Sequence, residues 1–336
     1  MYYNPDLTYP VPIHSTWNTQ DASKIQLMMR CPRRYFYKYV LGWQISQPNI
    51  HLIFGSAWHE AMAHLLMTDY SIPNVMIAYE KLRTYYRQYF SEDDDEIYSP
   101  KKPERALMAL AAYAKHYAGD EFEVMEHEGQ KMVEIAGTVA ITPDMDLSFR
   151  QDSILQDSRG IFSREHKTAS SLWNWDEQWY LSTQVGTYHF VLESLYPSEE
   201  VAGVQMNAVA FKRTKDNAKL DEKNPGRHFD FMRVNIYKQP EQMQLWYNNT
   251  IWWLELIKMN FNELANCSDS DSALFCFPQN PTDCSSYGRT CQYADFCRFW
   301  ANPLQHLDRL PIGMEIDFWD PLKEEAQVEL NIERSE

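Results

Sequence analysis

Basic residues are the first shortage in this chain. Across 336 residues, 31 Lys and Arg stand against 47 Asp and Glu, a formal charge of −16. That balance excludes a protein that coats nucleic acid through bulk charge. A nucleic-acid path would have to be a local basic strip on an acidic surface. No apolar run approaches the roughly 20 residues of a membrane span. The opening MYYNPDLTYPVPIHSTW has neither the basic nor the apolar region of an export signal, so a cytoplasmic protein is expected. Without export, the six cysteines are better read as metal ligands or buried thiols than as three disulfides. Internal repeats are also missing. What is plentiful is material for a core: 44% of residues are hydrophobic, with 21 Tyr and 11 Trp, which argues against disorder over most of the chain.

Residues 1–22 read as a polar, proline-bearing arm. A helix is expected from Ser23 to Tyr39, interrupted at Pro32, and a second from Gly55, with Phe54, Trp58, Met62 and Leu65 on one face. Residues 74–90 and 103–118 also read as helices. The acidic stretch SEDDDEIYSPKKPE joins them into a helical insertion over 70–120. Short alternating strands follow in VEIAGTVAI, DLSF and GIFSREHKT, separated by polar turns such as QDSRG. Helix returns in DEQWYLSTQVGTYHFVLESLY, a strand in VAGVQMNAVAFKRT, and a long aromatic helix over 238–265. Residues 301–336 read as an acidic tail with little order of its own. This sequence of elements predicts one α/β domain over 23–300 with helical additions, rather than two independent domains.

Four cysteines carry the strongest single signal. Cys284, Cys291 and Cys297 are separated by six and five residues, and Cys31 lies far upstream in MMRCPRRYFYKYVLGW. The three downstream thiolates can converge on one centre, and Cys31 completes it only if the two ends of the chain meet. Four thiolates with no histidine among them suit an iron–sulfur cluster or a structural zinc. Unrelated buried thiols are the plainer alternative.

The second signal is GIFSREHKTAS. On an extended strand alternate side chains share a face, so Glu165 and Lys167 project together while His166 points away. A carboxylate and an ammonium so placed can hold a metal and position an attacking water, although a surface ion pair has the same pattern. Upstream, ITPDMDLSF offers Asp144 and Asp146 on one strand face. Either could complete an oxygen-rich site for Mg2+ or Mn2+ with Glu165, and Asp144 is the first choice. His59 sits in GSAWHEAMAH on a predicted helix that also offers Glu60 and His64. Gln184 and Tyr188 stand at i and i+4 in QVGTYHF, where the pair could orient the lysine or contact a phosphate.

Taken in order, CPRRYFYKYVLG, GSAWHE, PDMD, EHKT, QVGTY and the terminal C-x6-C-x5-C resemble a RecB-type member of the PD-(D/E)xK nuclease superfamily, in its iron–sulfur branch. That branch includes AddB-type helicase-nuclease subunits, CRISPR adaptation nucleases and phage exonucleases. The resemblance implies a restriction-endonuclease-like mixed sheet flanked by helices, with an iron–sulfur clasp joining the N- and C-terminal segments. It implies a metal held by His59, Asp144 or Asp146, and Glu165, with Lys167 acting on the attacking water. Gln184 and Tyr188 would form the motif after the catalytic strand. Cys31, Cys284, Cys291 and Cys297 would bind a 4Fe–4S cluster. The implied activity is a Mg2+- or Mn2+-dependent exonuclease acting on single-stranded DNA or DNA ends in recombination, repair or phage DNA processing. The sequence holds no G-x-x-x-x-G-K-[ST], so it is not a complete helicase-nuclease, and a helicase or recombinase is a candidate partner. A catalytically silent, cluster-stapled scaffold for such a partner is the alternative. The wide first gap between the C-terminal cysteines leaves room for zinc, and with it a zinc-stapled interaction protein. Arg30, Arg33, Arg34 and Lys38, interleaved with Tyr35, Phe36, Tyr37 and Tyr39, are candidates for the DNA path, as is FKRTKDNAK.

Overall fold

The computed structural model describes residues 1–213, 228–267, 273–286, 289–300, 302–306, 310–321 and 326–333. Six strands form the central sheet: β1 (Val133–Thr142), β2 (Met145–Asp157), β3 (Gly160–Ala169), β4 (Val201–Phe211), β5 (Phe229–Ile236) and β6 (Val328–Ile332). Their spatial order is β6-β1-β2-β3-β4-β5, and the short strand Glu123–Val124 adds to β2. Tight turns make β1, β2 and β3 an antiparallel meander. β4 runs parallel to β3, and the connection between them carries helix Thr183–Leu195, as a parallel pair requires. The mixed α/β sheet expected from the sequence is therefore present.

The other main helices are Ala22–Arg30, Ile50–Met67, Ile72–Tyr86, Pro103–His116 and Pro240–Ala265. Asp21 caps the first of these through its side chain, and Asn49 caps the second. One apolar cluster gathers Ile25, Met28, Val185, Leu192, Leu254 and Phe261 with the sheet. Another packs Ile50–Met67 against the helical insertion and the ends of β4 and β5, through Val209, Phe211 and Phe229. None of the described helices is long and apolar enough to cross a membrane.

Three differences from the sequence reading concern the site. First, β2 does not stop at DLSF. It runs on through Arg150, Gln151, Asp152 and Ser153 to Asp157. Gln151, Asp152 and Ser153 are buried although polar, so hydrophobic alternation fails where the strand enters the site. Second, the helix expected from Asp176 begins only at Thr183.

Third, the tail is not without order. Met314–Ile316 pairs antiparallel with Trp43–Ile45, and β6 pairs parallel with β1. The last strand can approach because position 137 is glycine: a Cβ there would stand 2.0 Å from the Leu330 carbonyl oxygen. Gly137→Ala should therefore expel β6. We expect faster amide exchange over 328–332 and a stability loss of about 1–3 kcal/mol by urea unfolding.

Candidate active site

The site is assembled by strand register. β2 and β3 form a hairpin around Ser158 and Arg159, with Asp157 opposite Gly160 and Ser153 opposite Arg164. Continuing that register by one pair sets Asp152 against Glu165. On the other side of β2, Val133 faces Ser153 and Ile135 faces Gln151, which sets Glu134 against Asp152. Three neighbouring strands thus bring three carboxylates into one row.

His59, from helix Ile50–Met67, reaches the row with its Nδ1 3.0 Å from Asp152 Oδ1. The other Asp152 oxygen accepts the His166 backbone N–H at 2.6 Å. Lys167 Nζ donates to Glu165 Oε1 at 2.6 Å, and Gln184 Nε2 donates to the same oxygen at 3.1 Å. Gln184 also donates to the Tyr188 hydroxyl, which in turn donates to the Arg150 carbonyl. Gln184 and Tyr188 therefore orient Glu165 rather than the lysine. The remaining oxygen of Glu165, Oε2, is buried without a hydrogen-bond partner. His166 points to the other face, as expected, where its ring meets Asn207 at 2.8 Å.

Electrostatics follow from this crowding. Burial pushes the Glu134 carboxyl up to about 7, and the Asp152 charge adds to the effect. Burial and Asp152 likewise raise Glu165. Asp152 resists its own burial because the His59 charge and hydrogen bond hold it well below the usual carboxylate range. Burial would lower His59, but Asp152 overrides it and raises the imidazole to about 9. Burial also opposes the Lys167 charge, and Glu165 and Asp152 outweigh it to raise the ammonium. Ligand atoms of His59, Glu134 and Asp152 all lie within 4.8 Å of one another. A hard divalent cation suits this set of oxygens and one imidazole.

A cleft of about 620 Å³ opens over the row. Lys38, Arg150, Tyr39, Tyr85, Tyr89 and Trp319 are among the residues lining it, with His59, Asp152 and Glu165 at its floor. Its rim also takes in Asp317 and Pro321 from the segment expected to be a tail with little order of its own.

Two sequence candidates lie elsewhere. Asp144 is exposed in the β1–β2 turn, 2.8 Å from Lys258, and Asp146 is exposed at the start of β2. At about 3.3 Å per residue, the six residues from Asp146 to Asp152 span roughly 20 Å, so neither aspartate reaches Glu165. The carboxylate partner is Asp152, and Glu134 joins it. Asp152 was legible in principle: QDSRG is the hairpin turn, and counting pairs back from it places Asp152 beside Glu165.

The basic and aromatic strip mostly serves packing. Tyr35, Phe36, Tyr37 and Tyr39 are buried. Arg33 donates to the Phe277 and Leu274 carbonyls, while Arg30 and Arg34 pair with Asp283. Lys38 and Tyr39 alone of that strip line the cleft. The basic residues of FKRTKDNAK beyond Arg213 lie outside the described residues. On the site helix, Glu60 lines a separate groove with Glu80 and Lys81.

The two ends of the chain do meet around the cysteines. The Asn280 backbone N–H points to Cys31 Sγ at 3.5 Å, and Asn280 Nδ2 donates to the Arg30 carbonyl. The Cys291 N–H donates to the Cys284 carbonyl. Burial raises the Cys297 thiol to about 11, with contributions from Cys31, Cys291 and Cys284. Cys291 is raised in the same way, with Cys31 and Cys284 contributing. Among the described residues, no three thiols come within 4.8 Å of one another. The remaining two, Cys267 and Cys276, stand 3.4 Å apart, sulfur to sulfur.

The pH dependence of the metal-free protein follows from His59. Its folded pKa lies above its unfolded value of about 6.5, so the stability it contributes is full below that value. It is lost as pH rises through about 9. In EDTA, the advantage of wild type over His59→Gln in thermal melting should shrink steadily between pH 6 and 9. An advantage that grows with pH contradicts this arrangement.

Comparison with known proteins gives the family. No curated protein matches the chain by sequence. Among solved structures, the crystal structure of SSO0001 aligns over 72% of this chain and 78% of its own, at 13% identity and a TM-score of 0.28. The PD-(D/E)XK nuclease superfamily model matches residues 22–298, a span that takes in His59, Glu134, Asp152, Glu165 and Lys167. Nucleases of this kind use divalent metals, which the carboxylate row and His59 suit. This chain belongs to the PD-(D/E)XK nuclease superfamily.

Proposed function

We propose that the protein is a Mg2+- or Mn2+-dependent DNA exonuclease. It hydrolyses phosphodiester bonds of single-stranded DNA or DNA ends, in recombination, repair or phage DNA processing. One observation carries the reading: Glu165 is 3% exposed at its side chain, paired with Lys167 through one oxygen and unpartnered at the other. A buried carboxylate oxygen without a partner costs free energy unless a ligand satisfies it, and a cation at the Asp152–Glu165 pair does so.

Asp152 and Glu165 would supply the oxygen donors, and His59 would supply a nitrogen once its proton has left. When bound, the cation polarises the scissile phosphate and lowers the pKa of water beside it. Gln184 and Tyr188 hold Glu165 in its rotamer, so the site does not reorganise when charge develops. Lys167, about one-quarter exposed at its side chain, keeps its ammonium charged beside the reacting phosphate and stabilises negative charge there. The cleft volume is that of a site for a compact ligand. Its aromatic rings with Lys38 and Arg150 suit splayed bases and a single backbone better than a duplex. A helicase or recombinase is the partner this reading proposes to deliver the strand.

The same proposal assigns a 4Fe–4S cluster to Cys31, Cys284, Cys291 and Cys297. Cys291 and Cys297 each interact electrostatically with Cys31 and Cys284, which supports one shared centre, and four thiolates with no histidine among them suit a cluster.

Lys167→Ala should reduce degradation of end-labelled single-stranded DNA with Mn2+ by on the order of 10²–10³. If the wild-type, cluster-loaded protein leaves every DNA form intact, the scaffold reading takes the place of the enzyme. Protein purified without oxygen should be brown, with broad visible absorbance. Cys31→Ala should lose that colour and melt at a lower temperature. A colourless wild type carrying stoichiometric zinc returns the clasp to zinc.

A further inference from the structure

On a chain with a formal charge of −16, cations gather at the carboxyl ends of β3 and β4. His51 lies in the first turn of helix Ile50–Met67. Arg289, on a short strand between Cys284 and Cys291, meets its Nε2 at 3.1 Å. Lys101 reaches the hydroxyl of Thr168, the residue after Lys167, at 3.3 Å. Arg105, Lys212 and Arg213 line a cavity of about 280 Å³ beside Ser99 and Pro100. These groups adjoin one another: burial and the charges of Lys101, Arg289 and Arg213 lower the His51 imidazole. Carboxylates are scarce among them. Lys101 and Arg105 are each 6% exposed, and their side chains meet the Thr168 hydroxyl and the His228 imidazole rather than an acid. Arg105 also sits in the first turn of helix Pro103–His116, where the backbone carries positive partial charge as well. Glu96, on the cavity wall, is committed to Lys102, and Asp230 to Lys212. Buried charges are ordinarily paired, so the missing partner is an anion.

We propose that His51, Arg105, Arg213 and Arg289 form a phosphate-binding surface outside the catalytic cleft, which holds the backbone of a DNA strand and seats one phosphate in the cavity at Arg105 and Arg213. This rests on the nuclease reading and deepens it. The surface is continuous with the cleft, because Leu52 and Ile53, next to His51, line the cleft. From Ala208, opposite Lys167, the chain runs to Arg213 in five steps, roughly 16 Å at about 3.3 Å each. That is the length of about five stacked nucleotides at roughly 3.4 Å apiece. A single small anion could fill the cavity but would leave His51 and Arg289 unserved, whereas a polyanion serves both. Arginine forks suit phosphate oxygens, and contacts of this kind fix the position of a strand without reading its sequence. Lys101 adds its charge from a buried position beside the catalytic strand. The cysteine segment gains a second role, since it presents Arg289 to this path.

Binding of a long, fluorescein-labelled oligothymidylate to the full, cluster-loaded chain tests this without reference to activity. Anisotropy is read in EDTA over a series of salt concentrations, with each variant's folding checked by melting. Arg213→Gln and Arg289→Gln change exposed side chains, so they decide the matter even if the buried Arg105→Gln fails to fold. Each should weaken binding about three- to tenfold and reduce the slope of log affinity against log salt by about 0.7. Lys115→Gln removes an exposed charge at the other end of the helix that carries Arg105, and should change neither quantity. Wild-type affinity and slope in Arg213→Gln and Arg289→Gln overturn the proposal, and so does a wild type that binds no strand. If inorganic phosphate raises the melting temperature of wild type but not of Arg105→Gln, while no variant alters strand binding, the cavity takes a free anion and the strand surface falls. A wild type that binds the strand through these residues yet degrades no DNA defeats the nuclease reading and leaves the surface standing.

Discussion

The register between β2 and β3 is the constraint from which the site is built. Side chains alternate faces along a strand, so a slip by one residue would turn Asp152 away from Glu165 and leave a buried aspartate among apolar side chains. The Ser158–Arg159 turn fixes that register, and the β1–β2 meander carries it one strand further, to Glu134. A row of three carboxylates repels itself. The fold tolerates it because each carboxylate has a cation beside it: Arg150 at Glu134, His59 at Asp152 and Lys167 at Glu165. Those partners keep the apo site folded. In the proposed metal site they would also set the terms on which a divalent ion enters, since a proton on His59 would leave first.

Stability and the cleft are coupled through the ends of the chain. Arg33 reaches the Phe277 and Leu274 carbonyls, Arg30 and Arg34 reach Asp283, and Tyr293 donates to the Trp43 carbonyl. These contacts draw the C-terminal segment onto the first helices with the protein's own groups. The chain then continues across the cleft, where Trp319 approaches Asp21 and Phe318 stacks on His14 at 3.8 Å. It finishes as β6 on the far edge of the sheet. Lys38 from the start of the chain and Trp319 from near its end consequently face the same cleft. Cys31 stands at this meeting of the two ends, within reach of the Asn280 backbone N–H.

Local glycine chemistry supports the same geometry. In QVGTY, Gly186 is the point where helix Thr183–Leu195 meets Trp246: a Cβ at 186 would stand 2.2 Å from the indole ring. The glycine lets this helix seat deeply enough for Gln184 to reach Glu165. A motif first noticed for its polar pair therefore depends equally on the residue between them.

Much of this protein was legible before any fold was known. Strand alternation put Glu165 and Lys167 on one face and His166 on the other, and helix spacing put Gln184 beside Tyr188; both rest on backbone periods that any sequence obeys. The choice of His59 over Glu60 and His64 came from a resemblance, because helix periodicity alone does not say which face meets the sheet. The aspartate was misread because Asp144 follows a proline in a recognisable motif. Asp152, by contrast, lies in a polar run, RQDS, that hides its strand. Only hydrogen bonding to β1 and β3 makes RQDS extended and buried. Glu134 was missed because its partners come from other strands and its backbone conformation departs from the strand period. The sequence by itself determined periodicities, turns and chemically capable residues, since those depend on neighbours along the chain. Tertiary structure decided which carboxylates meet, because that depends on cross-strand register and on the closure of two ends more than 240 residues apart.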